Sequence, residues 1–276
     1  MLTRCGAYLA GLLLAAASLP TLGQTPRATP ADSLRGGPDT PPPGWVRRHL
    51  PVLAPAALIA AGALTTHPVQ LVESDEELRE EIQEVQTSWG RPQTRIDDYL
   101  RYAPAYASLG LSTLGIKGQH GTAEQAVLFA LTYHLDQGLV SNLKRMTRVR
   151  RPDGSNASSF PSQHTSMAFA TATLLHKEYG GLSPWYSVGG YAVAAGTGTL
   201  RLLKDKHWLS DVLAGAGVGI ASTELTYLVY PVLRRATLSV VRKVLPGRAA
   251  GPGAGRTAVL PFYAGGAVGA TVVLVR

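Results

Sequence analysis

The sequence predicts an all-α protein, a bundle of helices around a polar centre, with a small C-terminal β hairpin or surface-docked strand pair. Two observations carry this expectation. Apolar stretches of helical length hold single ionisable residues inside them, as in LTYHLDQGL, and short Gly- or Pro-marked turns such as GIKGQHG and YGGLSP separate them. Apolar residues make up 45% of the 276-residue chain and charged residues only 16%, a balance that suggests much surface in helix–helix or lipid contact.

From the N-terminus, MLTRCG followed by the uncharged AYLAGLLLAAASLP and by TLG reads as a signal peptide over residues 1–23. Its competitor is a first membrane anchor. Cys5 is the single cysteine, so removing this segment would leave none and would exclude disulfides, zinc–thiolate sites and cysteine nucleophiles. Residues 24–49, rich in Pro, Gly and small polar residues, read as a disordered linker. The helical domain is expected over 50–235, with its chemistry between 144 and 211.

That domain opens on LPVLAPAALIAAGALTTH (50–67), apolar and interrupted by two prolines. In ESDEELREEIQEV, Ser74 and Glu77 have capping-box spacing ahead of an acidic helix, whose charge run reads as a solvated face rather than a metal site. Further helices are expected near 95–113, 123–145, 163–178, 184–200 and 207–230. Residues 182–200 are uncharged for 19 positions, which is spanning length. Both a half-embedded and a fully soluble bundle fit this pattern. After 236 a Gly-rich linker leads into β-branched segments around Gly265-Gly266.

The formal net charge of +8 favours anionic partners such as phosphates or acidic lipids. No nucleic-acid-binding module accompanies it, so nucleic acid is not an expected partner. Three clusters combine cations, histidines and helix starts. Lys144 to Arg151 places five cations in eight positions, which reads equally as a membrane-proximal patch or a solvated helix end. Pro161-Ser162-Gln163-His164 heads an apolar helix, where free first-turn N–H groups make an anion site. Arg201 leads to His207 and Asp211, four apart on one helical face, so the carboxylate can hold one ring nitrogen and leave the other as a nucleophile. A structural His–Asp pair and half of a metal site compete with that reading. The surrounding cations argue for an anion over a metal ion.

Together, K-x6-R-P, P-S-x-H and R-x5-H-x3-D resemble the signature of the type 2 phosphatidic acid phosphatase / vanadium haloperoxidase superfamily, over roughly residues 95–230. The resemblance implies a helical bundle of that type, soluble or integral to a membrane, and a phosphatase reaction that needs no metal cation or other cofactor. It assigns Lys144, Arg151 and Arg201 to the phosphate oxygens, with hydrogen bonds from Ser162 and the backbone of Gln163. It makes His207 the nucleophile that becomes a phosphohistidine, Asp211 its orienting partner, and His164 the acid–base group. Two letters depart from the pattern: Gln163 stands where the family has Gly, and Leu200 where it has Ser. A Gln at 163 would be strained if the position required positive φ. These departures imply an altered substrate preference.

The resulting expectation is an exported envelope phosphatase acting on a phosphomonoester or diphosphate, a phosphorylated lipid or a small ester, at a membrane surface. The competing readings are a soluble broad-specificity periplasmic acid phosphatase, a vanadate-dependent haloperoxidase, and a non-catalytic anion-binding envelope protein. Vanadate is expected as an inhibitor or, in the haloperoxidase reading, as a cofactor.

Overall fold

The computed structural model describes residues 44–65, 75–244, 256–264 and 267–275. The expected signal peptide with Cys5, linker residues 24–43 and the Ser74 cap lie outside the described residues. Eight helices are seen among those described: α1 (Gly44–Thr65), α2 (Asp75–Trp89), α3 (Asp97–Leu100), α4 (Ala103–Thr113), α5 (Thr122–Thr147), α6 (Gln163–Tyr179), α7 (Pro184–Leu203) and α8 (Leu209–Val244). Strands β1 (Arg256–Ala264) and β2 (Ala267–Val275) pair antiparallel, with Ala264 opposite Ala267. The fold is therefore all-α with a terminal hairpin, as the sequence predicts.

The chain divides after Tyr227 into two compact units. In the first, α6 is the central helix and is buried along nearly its whole length, with α7 packed extensively against it. Its Ala168, Phe169 and Ala172 pack with Tyr191 and Ala194 of α7 and Ala216 of α8. The alanines among these let the helix axes come close, which suits a site assembled from several helices. Between α6 and α8 the approach is closer still: a Cβ on Gly219 would lie 2.0 Å from the Ser166 carbonyl oxygen, and one on Gly215 would lie 2.6 Å from that of Ser162. Only glycine permits that contact, and it sets the start of α6 against the first turns of α8.

Several boundaries differ from the sequence expectation. α1 begins at Gly44, inside the segment read as linker, and runs through Pro51 and Pro55 without ending. Each proline removes one N–H donor, and packing of Leu58 against the core compensates for the weakened local ladder. The helix expected over 95–113 is two pieces. Pro104, in the first turn of α4, has no N–H to give the preceding turn, so the helix restarts there. In the second unit, α8 continues through Pro231 to Val244, beyond the expected end near 230.

α2 has an acidic first turn of Asp75, Glu76 and Glu77, favourable at the positive end of the helix dipole. It buries Leu78 and Ile82, one turn apart, against Leu202, Leu209 and Val212. Glu76, Glu77, Glu80 and Glu84 are exposed, as the solvated-face reading expects, whereas Glu81 is half-buried. At the opposite end of α6, buried Glu178 accepts from the His120 backbone N at 2.8 Å and from Tyr227 Oη at 2.6 Å, pinning the GIKGQHG turn.

Candidate active site

α5 delivers Lys144 in its last turn and then stops, because Arg148 adopts a left-handed conformation (φ 50°) and donates its N–H to the Lys144 carbonyl. The loop that follows folds back so that Lys144 Nζ donates to the carbonyls of Ser158, at 2.6 Å, and Ser159, at 3.1 Å. Burial, then the charges of Arg151 and Arg201, pull the Lys144 pKa down to about 8. Burial and Arg201 also lower that of Arg151. Lys144 and Arg151 thus converge with Arg201 from a separate helix, and among the described residues the buried Nε atoms of Arg151 and Arg201 have no hydrogen-bond partner. Like charges crowded with spare donors form a receptor for an anion.

Ser162 caps α6. Its hydroxyl oxygen accepts from Thr165 Oγ1 at 2.9 Å, which leaves its own proton to donate elsewhere. The Ser162 N–H donates to the Asp211 carbonyl at 2.9 Å and ties this loop to α8. Gln163 is the first residue of α6, and among the described residues the only non-glycines with positive φ are Arg148 and Asp205. The strain considered for a Gln at this position is therefore absent. Helix geometry leaves its N–H without an intrahelical acceptor. Its side-chain amide donates to Gln137 Oε1 on α5.

Asp211 organises the His207 loop. His207 Nδ1 lies 3.2 Å from Asp211 Oδ2, so Nε2 is the ring nitrogen left for attack. The same oxygen accepts from Ser159 Oγ at 2.5 Å and from the Trp208 N–H at 2.9 Å. Burial pushes the His207 pKa down to about 4; Asp211 opposes this, and Lys144 and Arg201 add to it. The imidazole is neutral near pH 7, as a nucleophile must be.

His164 reaches the site from α6, with Nε2 2.9 Å from Asp98 Oδ1. Burial and Arg201 hold its pKa near 4 against the Asp98 hydrogen bond. Next to Asp98, Asp97 accepts from Arg201 Nη1 at 2.6 Å and from Lys204 Nζ. Burial raises the Asp97 pKa, but these two cations outweigh it and bring the value to about 2. Ligand atoms of Asp97, Asp98 and His164 lie within 4.8 Å of one another, a spacing open to a metal ion. Both Asp97 oxygens are already engaged by cations, however, which disfavours that use.

Lys144, Arg151 and Arg201 are thus brought together with His164, His207 and Asp211, whereas Arg145 of the first cluster bonds to Ser141 and Asn142 of its own helix. Leu200, at the position of the family's Ser, brings no hydroxyl.

Sequence reasoning missed Ser159, Asp97, Asp98 and the support that α2 provides. Asp75 accepts from the Ser210 N–H at 2.9 Å and from Ser210 Oγ at 2.5 Å, capping α8 from outside. Arg91 pairs with Asp205 at 2.8 Å, and Arg79 donates to the Pro152 carbonyl at 2.8 Å. Asp205, in left-handed conformation, and Lys206, paired with Asp153 at 2.6 Å, knit the Arg151 loop to the His207 loop. α2 and the segment after it therefore brace the His207 loop. The acidic doublet in RIDDYL was the legible hint, because two adjacent carboxylates beside apolar helices need cationic partners.

Residues 125–235 match the family model of the PAP2 superfamily. The Lipid A 1-phosphatase of Porphyromonas gingivalis is 44% identical over 150 residues, covering 54% of this chain and 34% of that protein. The chain thus spans about a third of the length of the curated relative it matches. No solved structure matches the chain.

Proposed function

We propose that the protein, whose residues 125–235 match the PAP2 superfamily model, is a metal-independent phosphatase of the cell envelope. Its substrate is a phosphomonoester or diphosphate carried on a lipid, and its intermediate is a phosphohistidine. The observation that carries this reading is the convergence of Lys144, Arg151 and Arg201, with unpartnered buried Nε atoms, beside a neutral His207.

Phosphoryl transfer depends mainly on positioning and charge stabilisation, and here fixed guanidinium and ammonium groups supply both. Arg151, Arg201 and Lys144 hold the phosphoryl oxygens, with the Ser162 hydroxyl and the Gln163 N–H adding donors. His207 Nε2 attacks phosphorus while Asp211 holds the Nδ1 proton and stabilises the cation that develops. His164 protonates the departing oxygen and then takes a proton from the attacking water. The bound anion offsets the repulsion from Arg201 and raises the pKa of His164 toward the range a general acid needs. No metal cation or cofactor enters this scheme, and vanadate acts as an inhibitor.

The similarity to a protein named for action on lipid A supports a phosphorylated lipid over a soluble ester. Among the described residues, Leu209–Ser239 of α8 is long and apolar enough to cross a membrane, although 56% of its most apolar window is buried in the fold. That helix and the basic site region fit association with an envelope membrane.

The test measures phosphate release from a lipid A-type 1-phosphate, a phosphatidic acid and a prenyl diphosphate, with and without EDTA, for wild type and His207→Ala. Hydrolysis of at least one lipid that survives EDTA and disappears in the variant is expected, with alkali-stable label trapped on His207. Loss in EDTA refutes metal independence, and no release from any substrate refutes the phosphatase reading.

A further inference from the structure

Asp98 lies outside the family match at 125–235, yet its carboxylate contacts the acid–base histidine directly. His164 Nε2 is 2.9 Å from Asp98 Oδ1, and among the described residues His164 Nδ1 takes no partner from the chain. Asp98 is itself held: Arg95 Nε lies 3.4 Å from its Oδ2, and its backbone carbonyl accepts from Arg101 Nε at 3.2 Å. Its neighbour Asp97 is clamped by Arg201 and Lys204, so the short turn α3 cannot easily swing away.

We propose that Asp98 is the positioning residue of His164: it fixes the ring through Nε2 and thereby assigns the transferred proton to Nδ1. The inference rests on the phosphatase reading. In the first step the His207 Nε2 lone pair forms the N–P bond, the P–O bond to the leaving group breaks, and that oxygen takes the proton from His164 Nδ1. In the second, water attacks phosphorus and gives a proton to His164 Nδ1, while the N–P bond breaks and its electron pair returns to His207 Nε2. The site then holds two carboxylate–histidine pairs with opposite polarity, Asp211 on the Nδ1 of His207 and Asp98 on the Nε2 of His164.

The groups facing His164 are Arg201 from α7, Arg101 after α3, and Asp97 and Asp98 from α3. The two arginines disfavour the protonated ring and the two carboxylates favour it. Removing the Asp98 charge leaves the arginines less opposed, so the acid form of His164 is lost at lower pH.

The experiment compares full-length wild type, Asp98→Asn and Asp98→Glu on a lipid phosphate, with its poor leaving group, and on 4-nitrophenyl phosphate, whose leaving group needs little protonation. For Asp98→Asn, kcat should fall about 10- to 100-fold on the lipid phosphate and less than about threefold on the aryl ester, with KM little changed. The alkaline limb of kcat, read on whichever ester the wild type hydrolyses, should move down by about one pH unit. Asp98→Glu should restore part of both effects. Equal losses on both esters with an unmoved limb overturn the assignment while leaving the phosphatase reading intact. A wild type that hydrolyses neither ester overturns both.

Discussion

Ser159 and His207 share one acceptor: Asp211 Oδ2 takes the Ser159 hydroxyl at 2.5 Å and lies 3.2 Å from His207 Nδ1. All three residues are buried. A hydrogen bond to a buried carboxylate contributes about 1.5–3 kcal/mol. Ser159→Ala should destabilise the fold by about that amount in urea denaturation and lower kcat, because Asp211 is then held less firmly. An unchanged denaturation midpoint would show that the contact contributes nothing.

Stability should fall as the medium is acidified. The folded-state pKa values of His164 and His207 are about 4, against 6.5 for the free group. Between these values the unfolded chain binds more protons, so the stabilisation is complete above about pH 6.5 and is lost as pH falls toward 4. Each histidine contributes a slope of about 1.4 kcal/mol per pH unit in that window. Denaturant titrations of wild type and His207→Gln, compared across the window, should show the slope reduced in the variant.

Lys144 should set an alkaline limit on substrate capture. Burial and Arg151 bring its pKa to about 8, and in the proposed reaction its charge holds the phosphoryl group. kcat/KM is therefore expected to decline above about pH 8, and Lys144→Arg, which stays charged, should move that limb upward. A profile identical in the two proteins would remove Lys144 from the phosphate site.

Gln163 bears on selectivity more than on folding. Its backbone is helical and its side chain meets Gln137, so Gln163→Gly removes one amide contact without relieving strain. The ratio of KM values for a lipid phosphate and a small ester should change by about two- to tenfold, the range of one neutral hydrogen bond. Steady-state kinetics on both substrates read that ratio.

Asp75 links a helix outside the matched residues to the start of α8, next to Asp211. Asp75→Ala removes the cap on α8 and should cost about 0.5–2 kcal/mol of stability. It should also lower kcat, because Ser210 is followed by Asp211, the residue that orients His207. A loss of stability with kcat unchanged would confine α2 to a structural role.

The sequence by itself determined the helical class, the order of the helices and the three motifs, because each rests on local periodicity, capping and spacing. Ser162 as the cap of α6 stands as read, and the His207–Asp211 pair forms as expected, although His207 lies in the loop before α8, which begins at Leu209, rather than on one face of that helix. Tertiary structure alone decided the rest. Asp97 reaches Arg201 across 104 positions and Asp98 reaches His164 across 66, and no local pattern encodes such pairings. Gly215 and Gly219 show their purpose only when α6 lies against them, and the acidic helix becomes a brace only when Asp75 meets Ser210. Long-range contacts depend on how helices pack, and packing is a property of the assembled core. That is why the chemistry of the site was legible in the chain and its supporting carboxylates were not.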